Sequence, residues 1–424
     1  MGVVLGGRQT RSALSSEYVN NHYVPQWYQR RFVSPGQVDQ ELLYLDLRPE
    51  SFVDGRGTQR RRKALRRLGP RRCFAEDDLY TTRFRGVESR DIERLFFGPV
   101  DSRGKCAVQF FSQYAHDRLS EGALEDMVMY LSTQKLRTPK GLDWLAAQMQ
   151  SRSRDEVLQG LVGLRQIYGA IWAECVWQIA DADRSETKFI VTDHPVTVYN
   201  RACGPRNRQW CRGANDPDIR LRGTHTLFPL GADRILILTN HSWATNPYQS
   251  PTSYRENPDF VRGAMFNFLD IQVQRHLTNE EVRQINFILK SRAYRYIAAG
   301  REEWLYPERY ISKANWNVFG DGHLLMPDPR PLTQGSEYIV GYGDGSTTAL
   351  DHLGRLPLDS DFGRESRSSE AIRTLARFQA EFAARVGPTR RGRSCDGGRL
   401  DPEHDSPERH EYFLGLGRRP QGPT

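Results

Sequence analysis

The sequence predicts an α+β fold, a mainly helical segment packed on a small antiparallel sheet. Three observations predict it. Apolar residues recur at helical spacing over residues 89–181. At Thr187 the period changes to short β-branched runs, KFIVTD and PVTVY, and then THTLFPL and DRILILTN, all of which read as strands. Helical spacing returns over residues 257–297, so helices close the other side of the sheet.

The elements follow in order. Residues 1–20 have little to bury and are expected to be disordered. In the stretch NHYVPQWYQRRF, Pro25 fixes its own φ and pushes Val24 towards extended geometry, so His22 and Tyr23 form a strand-like lead-in. Trp27, Tyr28 and Phe32 then suit a short helix with Pro25 near its first turn. LLYLDL is a strand, and a loop over 48–57 leads to a basic run, read as a loop that either clamps phosphates or is merely solvated: Arg60, Arg61, Arg62, Lys63, Arg66, Arg67, Arg71, Arg72. Ser89 and Asp91 cap a short helix that Gly98-Pro99 stops. Ser120 caps the next, whose stripe Leu124, Met127, Val128, Leu131 continues to Gln134 and Arg137 before Pro139 ends it. Leu161, Leu164, Tyr168, Ile171, Trp172, Cys175, Val176 and Ile179 describe one long helix with a single apolar face.

Beyond the strands, Asn257-Pro258 starts a helix through Phe266 and Ile271. The capping box Thr278 with Glu281 opens another, to about Ile297. Asn286 falls inside that helix's apolar stripe and must be hydrogen-bonded, with the backbone of HYVPQ as the expected partner. Residues 301–360 are loop-rich with one strand at YIVGY, residues 368–386 form an amphipathic helix, and 387–424 are expected to be a disordered tail. The organisation is a core domain over 21–300, an extension over 301–386, and two flexible ends.

Composition narrows the function. No apolar run reaches the roughly 20 residues of a membrane helix. The opening MGVVLGGRQT has no signal-peptide pattern, so a cytoplasmic location without membrane contact is expected. The six cysteines form no CxxC pair, and Cys203 and Cys211, eight apart in an irregular loop, are the only suggestive two. They are read as reduced thiols, with a metal or redox partner as the alternative. A net charge of +8 invites a nucleic-acid reading, but only seven of the 60 basic residues are lysines. That bias is also what a GC-rich genome writes, so the charge permits nucleic acid without requiring it.

HYVPQ near the N-terminus, FAEDDLY, a helix ending QKLRTP, a strand ending FIVTDHPV, FPL before DRILIL, and INFILKSRAYRYI together resemble the bacterial domain of unknown function 4238 over residues 22–299. The resemblance implies an ancestry and a polar constellation: His22, Gln26, Gln134, Arg137, Thr192, Asp193 and Asn286. It supplies no reaction. This chain departs from the pattern at Gln29 (leucine in many relatives), at His194 (asparagine in many), and at Asp101, where relatives show glutamate.

Each candidate has two uses. Asp193, leaving a strand end, is a catalytic carboxylate or the cap of a turn. Gln134 and Arg137, one helical turn apart, clamp an anion or staple the fold through Asp193 or Asp101. The leading expectation is a hydrolase acting on nucleic acid or another phosphodiester. In it His22 is general base or metal ligand, Asp193 and Asp101 are carboxylates, Arg137 steadies transition-state charge, and Gln134 supports it. The alternative is a nucleic-acid-binding or interaction module without chemistry, carried by Arg60, Arg61, Arg62, Lys63, Arg66 and Arg67. The chain holds no Gly-rich phosphate loop, GxSxG or HExxH. Metal, cofactor and oligomeric state are not legible.

Overall fold

The computed structural model describes residues 20–394 apart from 35–39, 85–86, 118–119, 152, 165–167, 208, 212–215, 256–265, 312–314, 334–336, 352–354, 361 and 363–367. The expected disordered segment 1–20 thus lies almost wholly outside the described residues, as does the tail from Cys395 onward.

The N-terminal part is built of short strands. β1 (Asn20–His22) precedes α1 (Gln26–Gln29), which runs on as a tight turn over Arg30–Phe32. β2 (Leu42–Asp46) is followed by a hairpin of β3 (Ser51–Val53) and β4 (Gln59–Arg61), then β5 (Leu65–Leu68). The basic run is therefore not a loop: it supplies β4, the edge strand β5 and a turn at Pro70–Arg72. Charge does not prevent strand formation at a sheet edge, where one face and the outer rim stay in water. β6 (Ala75–Asp77) pairs antiparallel with β1, and a hairpin of β7 (Thr82–Phe84) and β8 (Val87–Ser89) leads into the helices.

Gly98-Pro99 does not stop the first helix. A wide π turn over Ile92–Phe97 passes directly into α2 (Gly98–Ser112), with Gly98 N–H bonded to the Glu93 carbonyl. The wider ring accommodates the proline that a regular helix interior would reject. α3 (Glu121–Arg137) starts where Ser120 accepts a hydrogen bond from Ala123 N–H, and stops because Pro139 holds Thr138 extended. Thr138 then caps α4 (Pro139–Met149) by accepting from Gly141 N–H. α5 (Arg154–Gly163) and the short α6 (Gly169–Ala173) complete the helical part.

The long helix expected to run through Ile179 ends earlier, and Cys175–Asp181 is strand β9. β9 lies between two neighbours in a five-stranded sheet, and Val176 through Ala182 are all buried. A strand covered on both faces loses its two-residue period, so its apolar residues fit either template. β10 (Val191–Thr192), β11 (Thr197–Asn200), β12 (Thr224–Pro229) and β13 (Arg234–Asn240) follow, then α7 (His241–Thr245). β11, β12, β13 and β9 are antiparallel neighbours, and β14 (Gln272–His276) adds in parallel beside β9. The helix expected from Asn257 lies partly outside the described residues. What is described there is a tight turn at Phe268–Asp270 leading into β14.

α8 (Asn279–Arg292) has the expected capping box, Thr278 with Glu281. It ends before β15 (Tyr296–Ala299), which lies between β10 and β2 in a second, four-stranded sheet closed by β5. The short β10 therefore does not join β11–β13 in one sheet, because Asp193-His194-Pro195 turns the chain between them. Asn286 bonds not to HYVPQ but to the KFIV segment, donating to Lys188 O at 2.8 Å and accepting from Ile190 N at 3.3 Å. β16 (Glu337–Gly341) and β17 (Thr347–Asp351) form a hairpin, and α9 (Ser369–Val386) buries Phe378 and Phe382 against Trp243 and Met326. Residues 387–394 are tied down: Arg391 bonds to Asp328 and His323 and pairs with Glu281, and Arg393 bridges to Val273. Among the described residues no helix is long and apolar enough to cross a membrane.

Candidate functional site

The HYVPQ segment is an aromatic plug. Pro25 holds φ at -58° with an extended ψ, so the chain leaves β1 straight and turns into α1. Tyr28 stacks on Phe228 at 5.2 Å and donates to Pro229 O at 2.6 Å, while Trp27 lies 5.5 Å from Tyr130. Gln29 is fully buried and donates to Val24 O and Cys73 O. Gln26 accepts from Arg30 at the surface. His22 makes its hydrogen bond with the Arg71 carbonyl at 3.2 Å, and partial burial lowers its pKa.

Gln134, Arg137 and Asp101 do meet. Gln134 donates to Tyr23 O at 2.8 Å and accepts from Arg137 Nε at 2.8 Å and Nη2 at 2.5 Å. Arg137 Nη2 pairs with Asp101 Oδ1 at 2.8 Å, and its guanidinium lies 5.5 Å from the Phe97 ring. Tyr80 donates to the Arg137 carbonyl at 3.0 Å. Burial opposes the charge on Arg137, but Asp101 beside it holds the pKa above the ordinary arginine value. Arg137 is only 1% exposed, and this group ties α2, α3 and the HYVPQ segment together.

Asp193 is spent elsewhere. Its carboxylate accepts three backbone N–H groups, from Tyr294 at 2.8 Å, Arg295 at 2.6 Å and Tyr296 at 2.7 Å, fixing the turn between α8 and β15. Burial raises its pKa to about 6 against the opposing pull of those three bonds. His22, Gln134, Arg137 and Asp193 thus do not form one hydrogen-bonded site, and the Asp193 carboxylate, rather than capping its own strand end in a local turn, holds the distant Tyr294–Tyr296 backbone.

The buried polar centre that sequence reasoning missed lies beside it. Asp216 accepts from Lys140 Nζ at 2.5 Å and Lys135 Nζ at 2.9 Å, and lies 3.1 Å from His194 Nε2. His194 Nδ1 meets Thr138 Oγ1 at 2.7 Å, and Lys140 also donates to the Arg292 carbonyl at the end of α8. Burial drives the His194 pKa down to about 4, so the ring is neutral. Burial would raise the Asp216 pKa, but the two ammonium groups hold it well below the usual carboxylate range. Two of the chain's seven lysines in QKLRTPK, either side of a helix-breaking proline, were the available signal. Nothing in the irregular segment around Asp216 pointed to it.

Cys203 and Cys211 are buried free thiols, and Arg292 donates to Cys211 Sγ at 3.1 Å. Among the described residues no group of three or more His, Cys, Asp or Glu side chains is placed to hold a metal ion.

The basic run is solvent-facing. Arg60 pairs with Asp54 at 2.6 Å, Arg62 lies 3.6 Å from Glu50, Arg61 donates to Pro49 O, and Arg66 lies over Tyr44. Lys63, Arg67, Arg71 and Arg72 are exposed, with no carboxylate in ion-pair range among the described residues. Lys63, Arg66 and Arg67 line a cleft of ≈ 590 Å³ with Leu43, Gly300 and Arg301.

Fold and site together define an α+β protein in which the motif residues Gln134, Arg137, Asp193 and Asn286 are bonded within the fold. The chain belongs to the family described as "Protein of unknown function (DUF4238)", whose profile matches residues 20–160 and 164–303. No curated protein and no solved structure matches the chain.

Proposed function

We propose that the chain is a nucleic-acid-binding protein of the cytoplasm that acts through the basic face formed by β4, β5 and the Pro70–Arg72 turn. One observation carries the reading: Lys63, Arg67, Arg71 and Arg72 stand exposed without a carboxylate partner among the described residues. Exposed cations, of which Lys63 and Arg67 share one cleft with Arg66, on a chain of net charge +8, suit the release of counterions from phosphates. The hydrolase reading draws no support from the motif residues, because Gln134, Arg137 and Asp193 spend their polar groups inside the fold.

The test replaces Lys63, Arg67, Arg71 and Arg72 together by Gln and measures nucleic-acid binding beside thermal unfolding. The expected result is a large loss of affinity with little change in melting temperature, since all four side chains are exposed. Undiminished binding by a folded variant would refute the assignment of the face.

A further inference from the structure

The basic residues do not stand on a convex ridge. Lys63, Arg66 and Arg67 line a concavity whose far wall is Arg301 and Glu303. Those two residues are also the wall of a second cleft of the same ≈ 590 Å³, lined by Phe32, Val33, Ser34, Glu186, Arg283 and Trp304 among others. Each lies in the size range that holds a small molecule or one nucleotide, and far below what a duplex needs.

The inner cleft carries groups that its own fold does not use. Ser34 Oγ is buried with no hydrogen-bond partner and packs over Gly300, where a Cβ would collide with it. Arg283 rests on the Tyr310 ring 5.0 Å away and has no carboxylate partner among the described residues. Arg301 lies 5.6 Å from the Trp304 ring and reaches Glu303 only at 3.8 Å. Glu186 is exposed at the rim and has no ion pair among the described residues. By contrast Lys188 is already committed to Asp233 at 2.8 Å, so it is not counted. What is left is two guanidinium groups, the carboxylates of Glu186 and Glu303, and an apolar border of Val33 with the largely buried Phe32 and Trp304.

From this geometry we propose that the ligand is single-stranded nucleic acid, with one nucleotide seated in the inner cleft and the following phosphates crossing Arg301 to Lys63, Arg66 and Arg67. This rests on the function proposed above and names its substrate class. The arginines take phosphate oxygens in the forked geometry that suits them. Glu186 and Glu303 offer acceptors to the amino edge of an unpaired base or to a sugar hydroxyl, and Val33 with the edge of Trp304 borders the base face. A base paired in a duplex has neither its edge nor its face free for such a seat. Carboxylates along both clefts disfavour a bare phosphate run, which again favours a ligand with base edges to satisfy them.

The test is fluorescence anisotropy on the full chain with a labelled single-stranded oligonucleotide and the duplex of the same sequence. The proteins compared are wild type, Arg283→Ala/Arg301→Ala, and Arg283→Lys/Arg301→Lys. The expected result is single-strand affinity at least about tenfold above duplex affinity, a loss of that preference in the double alanine variant, and partial recovery in the lysine variant. Circular dichroism checks that the variants fold. Equal or tighter duplex binding, or an undiminished preference in the folded alanine variant, overturns the single-strand seat while leaving the basic face intact. Binding to neither oligonucleotide overturns both proposals.

Discussion

Replacing Asp216 by Asn tests the buried polar centre on which the helical part is pinned. Lys140 and Lys135 reach its carboxylate at 2.5 Å and 2.9 Å, with side chains only 7% and 9% exposed. At an effective dielectric of about 20, each contact is worth on the order of 6 kcal/mol of Coulomb attraction, most of it offset by desolvation of the charges. Asn keeps the shape and one acceptor but removes the charge, leaving two ammonium groups buried without a counter-ion. The expected loss is about 3–5 kcal/mol of unfolding free energy, read from urea titrations followed by circular dichroism. The deficit carries a pH signature. Burial already lowers the Lys140 pKa, and losing Asp216 lowers it further. Between that lowered value and the ordinary 10.5, the unfolded chain binds more protons than the folded one, so stability of the variant rises with pH and part of the deficit is regained. A loss under about 1 kcal/mol, or a deficit flat in alkaline solution, would refute the reasoning.

Three further outcomes follow from neighbouring contacts. Asp193 titrates near 6 in the folded chain against 3.8 ordinarily, so its charged form costs stability, absent below the lower value and complete above the upper. The stability gap between wild type and Asp193→Asn should therefore be larger at about pH 4 than at pH 7, by up to about 3 kcal/mol, and a pH-independent gap removes the point. Gly141→Ala places a methyl within 2.6 Å of the Leu136 carbonyl and closer still to that of Lys135, so denaturant titration should show about 1–3 kcal/mol lost; a neutral result contradicts the close approach of α3 to α4. Truncating before Gly387 removes the contacts of Arg391 to Glu281, Asp328 and His323, so the melting temperature should fall by about 2–4 °C per kcal/mol lost, and an unchanged value shows those contacts add nothing.

The fold class was legible because the helical and strand periods are local signals, as Ser120, the Thr278–Glu281 box and the DRILILTN strand illustrate. β9 was not, because burial on both faces erased its alternation, and the wide turn before Pro99 was not, because a proline alone does not announce the ring that tolerates it. The site divided in the same way. Gln134 and Arg137, one helical turn apart, were legible as one polar face, but their bond to each other, and Asp101 rather than Asp193 as the carboxylate, emerged only from the structure. Asp193 and Asn286 could be read as polar groups needing partners, but which backbone they meet depends on tertiary placement. Asp216 gave no signal, because its lysines lie 81 and 76 residues away in the chain. The basic run was legible as charge but not as strand.

The central claim is that the Gln59–Arg72 face binds phosphates, and the salt dependence of binding tests it most directly. The slope of log affinity against log salt should be compared between wild type and the fourfold Gln variant of Lys63, Arg67, Arg71 and Arg72. On single-stranded nucleic acid each lost phosphate contact lowers the slope by about 0.7, so the account expects a decrease of up to roughly 2.8. An unchanged slope would mean that the charge on this face takes no part, and that binding is spread over an arginine-rich surface.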